Sequence, residues 1–256
     1  MIGSRDERTL DELATAIREA DRVTALTGAG ISAASGIPPF RGDDGIWGDH
    51  FEERDFHVSR FRRDPAGFWT DRIELVEHMW PAGGADPNDA HEALATLSTA
   101  GVVDGVITQN TDGLHAAAGT DDVIALHGTS TRVECVRCGT EEPAGPIHER
   151  VRAGERPPTC ACGGTYKPAV VLFGESLPPD PYRRARQLAE QSDVFLAIGS
   201  SLRIDPAASL PSLVSDGTVA VINFEPTRYA ESADHTVRAD VTDVLPALAT
   251  RVLDFG

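Results

Sequence analysis

The chain has 256 residues, enough for one large domain with or without insertions, and its 41% hydrophobic and 25% charged residues are globular proportions that exclude general disorder. A formal net charge of −17 disfavours nucleic-acid backbones and anionic membranes as partners, and no run nears the ~18 apolar residues of a membrane span. Lys167 is the only lysine, which excludes a Walker A loop or a Schiff-base enzyme, and the acid-rich, lysine-poor balance suggests a halophilic, high-salt cell interior.

A helix is predicted over residues 10–20, ahead of a buried strand over 23–26. Residues 43–85 mix Trp47, Trp69, Trp80, several histidines and many charges without strand signals, so a helical insertion is expected there. A helix over 90–99 leads into strands over 102–108 and 123–126. Residues 131–167 hold all four cysteines among Pro and Gly and read as a second insertion. Further strands are predicted over 170–173, 194–198 and 219–222, with a helix over 182–191 between the first two, and residues 241–253 read as a closing helix. Short β-branched runs spaced by helix-length segments predict an α/β fold with a doubly wound parallel sheet.

Small and polar residues follow nearly every predicted strand. They are Gly28, Ala29 and Gly30; Gln109, Asn110 and Asp112; His127; Gly174 and Glu175; Gly199, Ser200 and Ser201; Asn223 and Glu225. In an open parallel sheet the carboxyl ends of the strands border one crevice, so distant segments are expected to converge on a single site. The run from Gly28 to Ala33 fits the dinucleotide pattern G-x-G-x-x-G/A, whose glycines admit a pyrophosphate to the backbone and whose helix start donates N–H groups; a plain turn fits the same glycines. No second strand with a ribose-binding acid follows about 20 residues on, and Glu225 is the alternative. His127 is a candidate general base. Asn110 and Asp112 bring an amide and a carboxylate to the same rim, or else cap the following helix.

Cys135-x-x-Cys138 and Cys160-x-Cys162, 21 residues apart, offer four thiolates to one tetrahedral zinc. The second pair is one residue shorter than usual. Two disulfides are the competing reading, and the start of the chain does not look like a secretion signal. With every position filled by protein, such a zinc is structural.

Taken together, GAGISAASGIPPFRG, TQNTDGLHAAAG, LHGT, the cysteine pairs, KPAVVLFGE, GSSLRIDPAASLP and VINFEPT resemble the sirtuins, NAD-dependent protein deacylases, in family order from about residue 24 to 248. The resemblance implies a Rossmann-like NAD-binding domain (1–42, 86–130 and 168–256) and a small module made of a helical insertion (43–85) and a zinc ribbon (131–167). It implies that NAD lies along Gly28, Ala29, Gly30, Ile37, Phe40 and Arg41. Gln109, Asn110 and Asp112 would shape the nicotinamide pocket. Gly199, Ser200, Ser201, Asn223, Glu225 and Val241 would hold the adenosine half. An acetyl-lysine peptide would pair with Val170, Val171, Leu172, Phe173, Gly174 and Glu175. His127 and Asn110 would be catalytic: the acetyl oxygen attacks the ribose as nicotinamide leaves, and His127 takes a proton through the ribose hydroxyls.

Family members that prefer succinyl or malonyl groups carry a Tyr-x-x-Arg pair in the helical insertion. No Tyr occurs between Phe40 and Ala90, so deacetylation is expected over desuccinylation, although Arg72 remains available. Mono-ADP-ribosyl transfer and removal of longer or acidic acyl groups are the alternatives. A cytoplasmic protein binding neither nucleic acid nor membrane is expected.

Overall fold

The computed structural model describes residues 2–39, 45–46, 51–81 and 84–254. In chain order the elements are α1 (Ser4–Glu19), β1 (Val23–Thr27), α2 (Val58–Arg63), α3 (Pro65–Met79), α4 (Asp89–Thr99), β2 (Gly105–Thr108), α5 (Leu114–Ala117), β3 (Val123–Ala125) and β4 (Gly128–Cys135). There follow β5 (Glu141–Pro143), α6 (Ala144–Arg152), β6 (Tyr166–Val170), α7 (Pro179–Gln191), β7 (Val194–Ile198), β8 (Thr218–Ile222), β9 (His235–Val237) and α8 (Val241–Leu253). Among the described residues no helix is long and apolar enough to cross a membrane.

Six parallel strands form the main sheet in the order β3-β2-β1-β7-β8-β9. β1 and β7 are fully buried, as expected of central strands covered on both faces. Their side chains alternate: Val23, Ala25, Leu196 and Ile198 enter one core with α1, α4 and α8, while Leu26, Phe195 and Ala197 enter another with Ala185 and Ala189 of α7. α1 supplies Leu10, Leu13, Ala14 and Ile17 at helical spacing. Asp240 caps α8 by accepting the Thr242 N–H.

A third core joins α2 and α3 to α6 and a three-stranded antiparallel sheet ordered β5-β4-β6. Trp69 and Tyr166 are its largest buried side chains, and the indole N–H of Trp69 donates to the Tyr166 carbonyl at 2.8 Å. Both inserted stretches therefore pack on one another, and the small sheet begins at Gly128, three residues before the second of them.

Three expectations need correction. Residues 170–173 are not a buried parallel strand: Val170 ends β6, antiparallel to β4, and residues 171–173 run beyond it along the edge of the small sheet. The Gly28–Ala33 run opens no α-helix; Ala29–Ile31 and Ala33–Ser35 are single 3₁₀ turns, so no helix terminus faces that loop. β2 starts at Gly105 because residues 102 and 103 belong to the turn after α4. β4, β5 and β9 are additional strands. β9 is only three residues long, and β4 is mostly solvent-facing, so neither carries an apolar run.

β1 stands where the strand order turns back, with β2 on one side and β7 on the other, which makes the carboxyl ends of β1 and β7 the switch point. The parallel ladder runs one residue past each strand end. Gly28 N–H donates to Ile198, Gln109 N–H to Thr27, Gly199 N–H to Ile222 and Asn223 N–H to Val237, so these four residues stand side by side along one rim.

Glycine is required where the β1 and β7 loops cross. Gly199 has φ +57°, and a Cβ there would lie 2.6 Å from the Ile31 nitrogen. A Cβ on Gly30 would lie 2.8 Å from the Gly199 carbonyl oxygen. Gly199→Ala is accordingly expected to destabilise the protein by about 2–5 kcal/mol, combining a left-handed penalty with backbone overpacking. Urea unfolding at constant salt measures this, and an unchanged midpoint would contradict it.

Candidate active site

A cleft of about 1340 Å³ opens at this rim and extends between the main sheet and the small sheet. It exceeds the roughly 300–1,000 Å³ of a site for one drug-sized ligand, and its chemistry is divided. The loops after β7 and β8 contribute Ser200, Ser201, Asn223 and Glu225, and the third core contributes Phe56, Phe68, Leu75 and Met79. Gly28, Ala29, Gly30, Gln109, Asn110 and His127 lie on its wall, as do Gly199, Val241 and the whole stretch from Val170 to Glu175.

Ile37 and Asp112 line a smaller adjoining cavity together with Asn110 and Thr111. Phe40 and Arg41 lie outside the described residues. Every other residue expected to bind NAD or peptide, and both expected catalytic residues, line one of these two spaces, while the four cysteines form a separate cluster.

His127 follows β3. Its Nδ1 is 2.8 Å from the Gln109 carbonyl oxygen, so Nδ1 carries the proton and donates, leaving the Nε2 lone pair as the ring's basic site on the cleft wall. Burial pushes its pKa below the ordinary histidine value, opposed by that hydrogen bond. The imidazole is therefore neutral and able to accept a proton at pH 7.

Asn110 is 6% exposed and its amide is fully directed: Nδ2 donates to the Gly28 carbonyl at 3.0 Å and to Ser32 Oγ at 3.1 Å. Ser32 in turn donates to Asp112 Oδ2 at 2.8 Å, while Asp112 Oδ1 accepts the Leu114 N–H. The N-cap of α5 is Gly113, so Asp112 and Asn110 are not the N-cap that their sequence position allows; Asp112 instead braces the turn into the helix through the Leu114 N–H. Gln109 Nε2 donates to Ser200 Oγ at 2.7 Å, tying the β2 loop to the β7 loop. Asn223 Nδ2 donates to the Glu225 carbonyl and shapes the turn after β8.

Ser32 is a hub that the sequence shows only as part of the glycine run. Beneath it, buried His115 donates Nε2–H to Thr27 Oγ1, which donates to Thr108 Oγ1, the acceptor of the Asn110 N–H. Desolvation, with nearby His91, lowers the His115 pKa to about 3, so it is a neutral brace and not an acid–base group at neutral pH.

Arg72 on α3, left available by the sequence for an acidic acyl group, receives its burial and its partner from the structure. It is 6% exposed, lines the cleft, and has Ser130 Oγ at 3.1 Å as its hydrogen-bond partner. Among the described residues its Nε has no partner and no carboxylate pairs with it. Burial lowers its pKa to about 10, which still leaves it charged at neutral pH.

Cys135, Cys138, Cys160 and Cys162 converge, with all four Sγ atoms within 4.8 Å of one another. Cys135 and Cys162 sulfurs are 3.5 Å apart, and Cys138 and Cys160 sulfurs 3.8 Å. Tetrahedral zinc at ~2.3 Å from each sulfur sets sulfur–sulfur edges near ~3.8 Å, so the shortened second pair fits the metal. Backbone N–H groups of Thr140, Cys162 and Gly164 face the sulfurs of Cys138, Cys160 and Cys162.

A Rossmann-like sheet with a cleft at its switch point, flanked by a four-cysteine ribbon, defines the sirtuin architecture. The pattern of the Sir2 family matches residues 28–206, and the chain belongs to that family. A Haloarcula marismortui NAD-dependent protein deacetylase is 52% identical over 254 residues, covering 98% of this chain and 97% of the relative. One from Pyrobaculum aerophilum is 41% identical over 246 residues, covering 95% and 94%. Among solved structures, a Sir2 protein with a p53 peptide and NAD+ superimposes with a TM-score of 0.82 at 34% identity, covering 95% of this chain and 96% of that one.

Proposed function

We propose that this chain is an NAD-dependent protein lysine deacetylase, moving the acetyl group from lysine to ADP-ribose with release of nicotinamide. One observation carries the reading: His127 presents a neutral Nε2, without a partner among the described residues, in a cleft lined by polar groups from the main-sheet rim and by apolar side chains of the third core. Relatives named NAD-dependent protein deacetylase support it.

NAD fits the site, since the loops after β1, β2, β7 and β8 offer hydroxyl, amide and carboxylate groups along one rim. Bound there, it supplies the acyl-accepting ribose and the nicotinamide leaving group. Gly28, Ala29 and Gly30, with Ile37, Phe40 and Arg41, hold the pyrophosphate and nicotinamide ribose. Gln109, Asn110 and Asp112 shape the carboxamide pocket; Gly199, Ser200, Ser201, Asn223, Glu225 and Val241 hold the adenosine. Val170 to Glu175 pair with the peptide by β-augmentation. His127 Nε2 takes the ribose hydroxyl proton, its ring held by the Gln109 carbonyl. The cleft lies between a Rossmann-like part and a small module stapled by one structural zinc; since the small sheet runs from Gly128 to Val170, the zinc-bearing insertion reaches three residues beyond the expected 131–167 at each end. Thiols grouped for a metal suit a reducing cytoplasm, and −17 net charge suits a halophilic one.

A high-salt assay with acetyl-lysine peptide and NAD tests this, following nicotinamide release and peptide mass together. One acetyl lost per nicotinamide is expected; nicotinamide released with the acetyl retained would instead indicate ADP-ribosyl transfer or NAD hydrolysis.

Arg72 favours a second reading, the removal of acidic acyl groups. An unpaired buried guanidinium is costly, and a succinyl carboxylate would satisfy it. Trp69, three residues earlier, is spent on packing against Tyr166 and leaves that recognition to arginine. Arg72→Met is expected to remove succinyl-peptide turnover and leave acetyl turnover within a few-fold; equal losses on both peptides would make Arg72 purely structural.

A further inference from the structure

The chain's one lysine stands beside the stretch assigned above to peptide binding. Lys167, on β6, has a side chain only 15% exposed, and its Nζ donates to the Val170 carbonyl at 2.8 Å and to Glu175 Oε2 at 2.6 Å. The same Glu175 oxygen accepts the Leu172 N–H at 2.8 Å, and the Glu175 N–H returns to the Leu172 carbonyl at 2.9 Å. Gly174, at φ +81°, closes this turn over the ring of His57, and the Phe173 carbonyl accepts the Val58 N–H. The chain leaving β6 would otherwise be a free sheet edge; here one ammonium, held by an acceptor at each end, fastens residues 170 and 175 into a fixed contour.

We infer that Lys167 is a positioning residue for peptide capture, presetting the Val170–Glu175 stretch so that the acyl-lysine backbone meets an ordered edge. The inference rests on the peptide-binding role proposed for that stretch. An ordered edge spares the entropy of ordering the loop at the moment of binding. The contribution appears in peptide affinity and not in the chemistry, because Lys167 is absent from the cleft wall and shares no bond with His127, Asn110 or the nucleotide rim. A compact ammonium serves because its two acceptors converge on one point, and a guanidinium keeps both the charge and two donors.

Lys167→Met, Lys167→Gln and Lys167→Arg test it. In the methionine variant the peptide KM is expected to rise about tenfold, the scale of one charge-assisted hydrogen bond, with kcat and the KM for NAD essentially unchanged. Glutamine, keeping a donor but no charge, should raise it less, and arginine should restore it. Zinc content reports folding, and if the methionine protein fails that check, glutamine against arginine carries the comparison. A peptide KM unmoved in the neutral variants, or a KM for NAD rising in step with it, would overturn the inference. Fluorescence anisotropy of a labelled acetyl-lysine peptide reads the same ranking without turnover. A wild type that binds peptide yet transfers no acetyl group would therefore defeat the proposed reaction alone, whereas equal peptide binding by wild-type and methionine proteins defeats the positioning role alone.

Discussion

His127→Ala is expected to lower acetyl-lysine turnover by roughly 10²–10⁴-fold, the usual contribution of a placed general base, while the protein keeps its zinc and its fold. The imidazole's structural role is small: among the described residues its one side-chain bond is to the Gln109 carbonyl, and the ring sits at the cleft wall and not in any of the three cores. The same argument sets a pH profile. A base works unprotonated, and burial lowers the His127 pKa, so the acidic limb of the rate profile falls below the ordinary histidine value near 6.5. Activity is retained at neutral pH and lost as pH drops through the depressed pKa. Turnover within a few-fold of wild type in the alanine variant, or an acidic limb above pH 6.5, would remove His127 from the base role.

Loss of the metal is expected to have the larger effect on structure. Cys135 and Cys160 are 1% and 8% exposed and belong to the same core as Trp69, Ile147, Val151 and Tyr166. Structural zinc binding is worth about 10–16 kcal/mol in small zinc-dependent folds, comparable with the whole stability of a domain at about 5–15 kcal/mol. Cys160→Ala, or exhaustive chelation, should therefore release the metal and loosen the β4–β6 sheet and α6. Acetyl turnover should vanish with it, because β6 carries Lys167 and leads into the peptide-facing stretch. The main sheet, with two cores of its own, should persist. Metal analysis, circular dichroism and turnover on one sample measure the three effects. A metal-free protein with full activity would contradict the role. Four protein ligands leave no open coordination position, so the expected loss follows from structure and not from missing Lewis-acid chemistry.

Much of this was legible in the residues. Central strands announce themselves through short apolar runs rich in β-branched residues, so β1, β7 and β8 lie close to where periodicity places them, and residues 241–253 form the closing helix α8. Glycine, amide and carboxylate residues after those strands had to share a rim, because parallel strands all end on one side. The cysteine spacing sufficed for a four-sulfur cluster even with one residue missing.

Other features depend on contacts between segments far apart in the chain. Periodicity assigns residues 170–173 to the main sheet because an apolar run carries no record of its partner; the pairing of β6 with β4 instead puts Val170 at the end of the small sheet, with residues 171–173 running on beyond it. By its helix position alone Arg72 could be a solvated charge; α3 instead buries it at the cleft, with Ser130 and no acid beside it among the described residues. Lys167 and Glu175 are eight residues apart, and only the turn at Gly174 makes them a pair. Local sequence determines which residues prefer helix, strand or turn and which carry chemistry. Burial and pairing are properties of the folded neighbours, so the burial of Arg72, the tautomer of His127 and the strut at Lys167 were decided by the tertiary structure alone.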